Sequence, residues 1–462
     1  MVLCIFFNRC IFSPVLFVFR FYYSADYPKS QVKNFIFFTF FVFSQKLYII
    51  TLNLLIFFIE RVIICYGIYK GAGICNMHVA VKPHKAHHHP HIRAFLDKLS
   101  VFIKKNAVLC IAIFAAVITA FFVPPDAQYL GYFDFKTLTC LFCVLAVVCA
   151  FKNIHFFYVL ATKIVKVFKT TRACILALVY VTFLGSMLLA NDMALLTFLP
   201  LGYFVLSSTN KKQYMAFTFI MQNIAANLGG MLTPFGNPQN LYLYSKFNIP
   251  TDAFIATMLP PFALSVALIT VCCLCVKKES LCIEDTPTHL PVWRTIIYSV
   301  LFIYSIVIVF RVVPYQTGLI LIPLALLFLD KKALKDVDYG LLFTFVAFFI
   351  FSGNMARISA VRSLFEWLLS QNTLLFSALS CQIISNVPSA ILLAQFTQNW
   401  QALLIGVNIG GCGTLISSLA SLITFKEYVK HNPDKSKKYI ALFSAFNFAF
   451  LIILTVFSLL IL

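Results

Sequence analysis

Charge is what this 462-residue chain has least of. Asp, Glu, Lys and Arg make up 11% of it, and only 16 residues are acidic. Soluble domains carry roughly 25% charged residues, so a water-soluble globular fold is excluded. The chain also lacks the motifs of several chemistries. There is no Gly-x-x-x-x-Gly-Lys-Ser/Thr, so ATP would have to come through a partner subunit. Neither Gly-x-Ser-x-Gly nor His-Glu-x-x-His occurs, and the histidines avoid the central apolar runs, which argues against an intramembrane enzyme. What the chain has is apolar: 61% of it is hydrophobic, with a mean hydropathy of +0.91. A polytopic membrane protein follows, with room for about ten to twelve spans.

The net charge of +20 does not point to nucleic acid, because Lys and Arg sit in short runs between apolar segments. That is the pattern of a positive-inside bias. Fifteen cysteines include Cys140, Cys143 and Cys149 in one apolar run and Cys272, Cys273 and Cys275 in another. Inside bilayer-facing sequence these read as small packing residues, not as disulfides or a metal site.

Residues 1–76 differ from the rest, being crowded with Phe, Ile, Tyr, Asn and Lys and poor in Ala and Gly. They read either as a signal anchor plus one span, or as upstream sequence with the natural start at Met77. Residues 77–106 hold a basic tail with His84, His87, His88, His89 and His91, then an amphipathic stretch from Arg93 to Asn106. Clustered imidazoles can bind transition metals, but among Lys82, Lys85 and Arg93 they read as a solvated cytoplasmic end, with no metal assigned.

Ala107–Val123 is the first span and Leu138–Phe151 returns; the loop between holds Asp126 and Asp134 against only Lys136, which places it outside. Lys152–Arg172 interleaves basic and apolar residues as an interfacial helix does. The next apolar run, Ala173–Leu206, is about 34 residues long, too long for one crossing of roughly 20. Lys169 and Arg172 precede it, Lys211 and Lys212 follow it, and Asn191-Asp192 lies near its middle. Both ends want the cytoplasm. The run reads as a re-entrant hairpin with its tip at Asn191-Asp192, or as two tight crossings. A carboxylate at that depth needs water, a partner or an ion, so Asp192 is the first candidate functional residue.

Tyr214–Leu228 is helical, and then Gly229-Gly230-Met-Leu-Thr233-Pro-Phe-Gly-Asn237-Pro-Gln-Asn240 breaks it. Two prolines and three glycines do not fit a helix interior. An unwound helix exposes carbonyls and amides of the kind transporters use to bind ions and anions; an external loop of turn residues is the alternative. Phe254–Val276 is a span, and residues 277–292 form a polar linker between halves. The second half offers Trp293–Val312, Gly318–Leu329, a charged loop Asp330–Asp338, Tyr339–Ser352, an amphipathic Arg357–Gln371, Thr373–Thr397 with Ser385-Asn386 at its middle, Trp400–Val429 and Tyr439–Leu462.

The halves, 107–276 and 293–462, repeat one order: interfacial helix, long apolar run with a central Asn, then Asn-x-Gly-Gly-x-x-Thr at Asn227–Thr233 and Asn408–Thr414. Polar breaks at matching places in two halves point to a transporter's central site; close helix packing is the other use of such glycines.

At these residues the chain resembles the ion transporter superfamily, which holds citrate and dicarboxylate:sodium symporters, arsenite efflux pumps and sodium/proton antiporters. The resemblance runs from about Ala107 to Leu462 and rests on Ala190-Asn191-Asp192 with Pro200, Thr233–Asn240, Ser385–Ser389 and Asn408–Ser421. It implies an all-α membrane protein of two inverted repeats, with re-entrant hairpins and broken helices. It also implies scaffold and transport domains in each protomer, and a homodimer is the expected assembly. Dicarboxylate members carry Ser-Asn-Thr at both tips, whereas this chain has Ala190-Asn191-Asp192 and Ser385-Asn386-Val387, the first closer to the arsenite-pump and antiporter branch.

The expected activity is ion-coupled transport of a small anion, carboxylate or inorganic oxyanion, by alternating access in the cell membrane. Sodium/proton antiport or arsenite-type efflux is the alternative, and a channel shares the same polar breaks. Asn191, Asn386, Ser385, Thr233, Asn237 and Thr414 are the expected substrate ligands. Asp192, Asn227, Gly229, Gly230, Asn408, Gly410 and Ser417 are expected to hold the coupling ion, Na+ or H+, with no other cofactor. A chain beginning at Met77 is expected to insert and transport as the full chain does; loss of membrane insertion would show that residues 1–76 are needed.

Overall fold

The computed structural model describes residues 106–280 and 290–462. The N-terminal extension, the histidine-rich stretch, the amphipathic segment before residue 106 and most of the polar linker lie outside the described residues. Among the described residues there are seventeen α-helices, and the only strand-like pairing is one bridge between Thr170 and Ser280. The first half comprises α1 (Ala107–Phe122), α2 (Phe135–Asn153), α3 (Phe156–Lys166), α4 (Thr171–Leu189), α5 (Asn191–Ser208), α6 (Met215–Gly229), α7 (Pro238–Lys246) and α8 (Thr251–Leu274). The second comprises α9 (Val292–Val309), α10 (Tyr315–Leu329), the short α11 (Lys331–Lys335), α12 (Tyr339–Arg357), α13 (Ser359–Ile384), α14 (Asn386–Leu393), α15 (Trp400–Ile409), α16 (Leu419–His431) and α17 (Ser436–Ile461). Six helices among the described residues are long and apolar enough to cross a membrane: α2, α4, α8, α9, α12 with α11, and α17 with the turn before it. The chain is an all-helical, multi-pass membrane protein.

The long apolar run is a helical hairpin, α4 and α5, turned at Ala190. Its base is tied on one side. Arg172 Nε donates to the Val276 carbonyl at 2.6 Å, the Thr171 N–H donates to the Glu279 carbonyl at 2.8 Å, and Lys211, just past α5, pairs with the Glu279 carboxylate. The tip ends inside the protein, with Asn191 only 5% exposed. A buried tip and a shared base make this a re-entrant hairpin.

Two expected boundaries are corrected, and a third segment is divided where its motif lies. The break after α6 closes at Pro238 instead of running to Asn240, because proline suits the first helical position and Asn237 has extended backbone before it. Within Trp400–Val429 the break lies where the Asn-x-Gly-Gly-x-x-Thr motif put it: α15 ends at Ile409, residues 410–418 unwind as the first break does, and α16 follows. The amphipathic segment and the second hairpin arm run on as α13, divided only at Asn372, whose extended backbone (φ −164°, ψ 99°) and side-chain bond to the Leu375 N–H at 2.8 Å start a new helix.

The two halves exchange their last half-helices. Helix α16 lies along the first hairpin: Asn191 Nδ2 donates to Ser418 Oγ, Tyr203 stacks on His431 with ring centroids 3.6 Å apart, and Asn432 Nδ2 reaches Met215 Sδ. Helix α7 lies along α14 and α15, with Gln395 Nε2 donating to Tyr242 Oη at 3.2 Å. Each broken helix thus begins beside its own hairpin and ends beside the other, the arrangement of inverted repeats. Around them α2 packs against α9, α10 and α11, and α12 packs against α1. Asn354 Nδ2 donates to Thr119 Oγ1 at 3.2 Å across the latter pair. Arg357 forks onto Asp126 at 3.0 and 2.7 Å, so the acidic loop has a second balancing cation besides Lys136.

The Glu279 tie is pH-dependent. The hydrogen bond from Lys211, aided by its charge and opposed by partial burial, holds the Glu279 carboxyl below the usual glutamate range. A depressed carboxyl contributes stability that is full above the unfolded-chain value of about 4.3 and lost as pH falls through the folded value. Glu279→Gln is therefore expected to lower the thermal unfolding midpoint at neutral pH and to flatten its decline below about pH 4.3. An unchanged acid profile in the variant would show that the tie contributes nothing.

Candidate functional site

The two hairpin tips are built alike. Ala190 turns the first at φ 64°, ψ 151°, and Ser385 turns the second at φ 74°, ψ 160°. Non-glycine residues held in such positive-φ conformations cost roughly 1–3 kcal/mol each and persist only where the surroundings enforce them. An asparagine follows each turn. Asn191 Oδ1 accepts the Asp192 N–H at 3.0 Å, and Asn386 Oδ1 accepts the Val387 N–H at 2.9 Å, at the first turns of α5 and α14.

The breaks dock on the hairpin arms in matching register. Thr233 Oγ1 donates to the Met187 carbonyl at 3.0 Å, and Thr414 Oγ1 donates to the Gln382 carbonyl at 3.2 Å. Met187 and Gln382 each stand three residues before their turn. A Cβ on Gly229 would strike the Phe183 carbonyl and Ser186 Oγ, and one on Gly410 would strike Cys381 Sγ; Ser186 and Cys381 each stand four residues before the turn. The first glycine of each pair therefore serves close packing. The second borders the polar site: a Cβ on Gly230 would lie against the Asn237 amide, and one on Gly411 between Asn386 Nδ2 and Asn227 Oδ1.

Two buried amide clusters result. In the first, Asn191 Nδ2 donates to Asn227 Oδ1 at 3.1 Å and to Ser418 Oγ at 3.4 Å. In the second, Asn408 Nδ2 donates to Asn240 Oδ1 at 2.6 Å, while Asn237 and Gln239 direct their amide nitrogens at Asn408 Oδ1 from 3.5 and 3.4 Å. The clusters correspond in part: Asn227 matches Asn408 and Ser418 matches Asn237, while the second is centred on Asn408 and not on the tip residue Asn386. Asn227, Asn237, Gln239 and Asn408 are at most 2% exposed. Yet Asp192 Oδ1, Asn227 Nδ2, Asn237 Oδ1 and Gln239 Oε1 are buried without a protein partner. A buried polar group left so costs about 1–3 kcal/mol, and a cluster of them is what a site for a polar ligand looks like.

Many of the freed carbonyls are already bonded. Asn240 Nδ2 takes those of Gly230, Met231 and Thr233, at 3.1, 3.2 and 3.1 Å. Gln382 Nε2 takes those of Gly410 and Cys412, and Ser417 Oγ those of Gly411 and Thr414. The Thr233 and Thr414 carbonyls also accept the N–H groups of Gly236 and Ser417, both at 3.2 Å. Four helices, α5, α7, α14 and α16, begin at this centre, so their positive dipole ends converge on it.

Residues 94–402 match the sequence profile of the citrate transporter family, CitMHS. The chain belongs to that family. This transporter is similar to two curated proteins. One is the Uncharacterized transporter MJ0456 of Methanocaldococcus jannaschii, 33% identical over 294 residues, which are 63% of this chain and 81% of that one. The other is the Inner membrane protein YbiR of Escherichia coli, 29% identical over 317 residues, 66% of this chain and 84% of that one. Among solved structures, the YdaH transporter of Alcanivorax borkumensis is 14% identical with a TM-score of 0.47, covering 72% of this chain and 87% of that one; so distant a likeness adds nothing to the reading. The resemblance drawn from the tip and break motifs is borne out, and the protein is a membrane transporter.

The structure brings Asn191, Asp192, Asn227, Gly230, Asn237, Asn386 and Asn408 to the centre. It uses Thr233, Thr414 and Ser417 to bond carbonyls, and Gly229 and Gly410 to seat helices. Sequence reasoning overlooked Gln382 and the bracing role of Asn240, and it passed over the pair Asn223–Asn447, which joins α6 to α17 at 3.4 Å. Each is an amide in a membrane-depth helix, and that was the available signal. Gly229→Ala is expected to cost about 1–3 kcal/mol by overpacking, seen as a lowered unfolding midpoint, because the Phe183 backbone cannot give way. An unchanged midpoint would mean that α4 and α6 are looser than described.

Proposed function

We propose that the transporter moves a small anion, carboxylate or inorganic oxyanion, by ion-coupled alternating access. One observation carries this: two hairpin tips and two helix breaks converge where buried polar atoms lack protein partners. In this reading the Asn386 amide donates to the anion and the Asn191 amide does so by giving up its longer bond, to Ser418 at 3.4 Å, with Ser385, Thr233, Asn237 and Thr414 around the anion and four helix N-termini favouring negative charge. Asp192 holds the coupling ion, Na+ or H+, beside Asn227 and backbone carbonyls of Gly229–Gly230 and Gly410–Ser417, with Asn408 bracing the far side. The family's name suggests citrate as the first candidate. The first tip, Asn191-Asp192, favours the second reading, sodium/proton exchange or arsenite-type efflux, over dicarboxylate symport. The YbiR relative is named an inner membrane protein, which supports placement in the cell membrane. A homodimer is the assembly we expect.

The test is uptake into proteoliposomes of citrate, succinate, sulfate and arsenite, under a sodium gradient and then a proton gradient. Asp192→Asn is expected to abolish dependence on the driving gradient in a protein that still folds. Unchanged gradient dependence in the variant would remove Asp192 from coupling.

A further inference from the structure

The two tips differ in how firmly they are held. The second is sewn to its own break by main-chain bonds: the Asn386 N–H donates to the Ser417 carbonyl at 2.9 Å, and Ser385 Oγ reaches the same oxygen at 3.3 Å. Gln382 adds a clasp. Its Nε2 donates to the Gly410 and Cys412 carbonyls at 2.9 and 3.0 Å, and its Oε1 accepts the Thr414 N–H at 2.9 Å. Gly413, at φ 121°, lies so close to Gln382 Oε1 that a Cβ there would strike it; the break is shaped around this side chain.

The first tip has none of this. Ala190 has no hydroxyl, and Met187 stands where the second half has Gln382. Among the described residues the Asn191 N–H has no backbone acceptor outside its helix. The tip is tied by the Thr233 hydroxyl on the Met187 carbonyl and by the Asn191 side chain, at 3.1 Å to Asn227 and 3.4 Å to Ser418. Only side chains hold it.

We propose that Gln382 is a positioning residue that locks the second hairpin to its break, so that the first hairpin, which carries Asp192, is the gate that opens to admit and release substrate. The second hairpin then serves as a fixed wall. The assignment stands whatever anion and ion are carried, so it can fail or succeed apart from the coupling scheme above.

Hydrogen–deuterium exchange of the full-length, substrate-free protein in lipid nanodiscs tests this. Amides of residues 188–194 are expected to exchange at least about tenfold faster than those of 383–389. Side-chain exposure does not by itself set this order, since Leu188 in the first segment is 38% exposed and Ile384 in the second is 37% exposed. Gln382→Met, which copies the first half, is expected to raise exchange in 383–389 and 411–417 by about tenfold while leaving 188–194 and the remaining helices as they were. Equal or reversed rates at the two tips of the unaltered protein would overturn the proposal, and that comparison needs no variant to fold. A Gln382→Met protein whose second tip stays protected would overturn it as well.

Discussion

Everything at the centre of this transporter follows from one constraint. Backbone N–H and C=O groups released by breaking a helix at membrane depth must be paired within the protein, because no bulk water is there to pair them. Two helices are broken and two hairpins are turned at one place. The chain meets the demand with amides: Asn240 bonds three carbonyls of the first break, and Gln382 bonds two of the second. Amides suit the task because each offers donors and an acceptor without the cost of a buried charge. A single interhelical hydrogen bond in a bilayer contributes only about 0.6 kcal/mol on average. The clusters therefore act less by adding stability than by making any other arrangement leave polar groups bare.

The exchange of half-helices gives the site its form. Ser418 caps α16 beside Asn191, and Asn237 precedes α7 beside Asn408, so neither half completes its cluster alone. Two copies of one design meet at the centre, and they differ at a few positions. Asp192 stands opposite Val387 in the pattern, Ala190 opposite Ser385, and Met187 opposite Gln382. The charge and the looser tip fall on the same hairpin.

Much of this was legible in the sequence. The hairpin around Asn191 could be read because an apolar run too long for one crossing had basic flanks at both ends and an amide and a carboxylate in its middle. The breaks could be read because proline and glycine cluster there, and the repeat because Asn-x-Gly-Gly-x-x-Thr recurs in order. The extent of the second break was harder to place: no proline marks it, and its glycines fit a packed helix as well as an unwound one, so only the recurrence of the motif pointed to it. Pairings between halves were out of reach. Nothing local tells Gln239 that Asn408 is its neighbour, and Gln382 looks like an incidental amide in an apolar arm until the carbonyls it bonds are known. The role of Gly229 was ambiguous because tight packing and ligand approach both call for a missing Cβ, and only the position of the Phe183 carbonyl decides for packing.

The central claim is that the anion is bound between the two tips. A structure of the transporter determined with a transported anion tests it most directly. The account predicts the anion within hydrogen-bonding distance of both the Asn191 and Asn386 side chains, bordered by Asn227 and Gly411. An anion bound away from both tips, among the helices of the α2, α9 and α10 group, would contradict it.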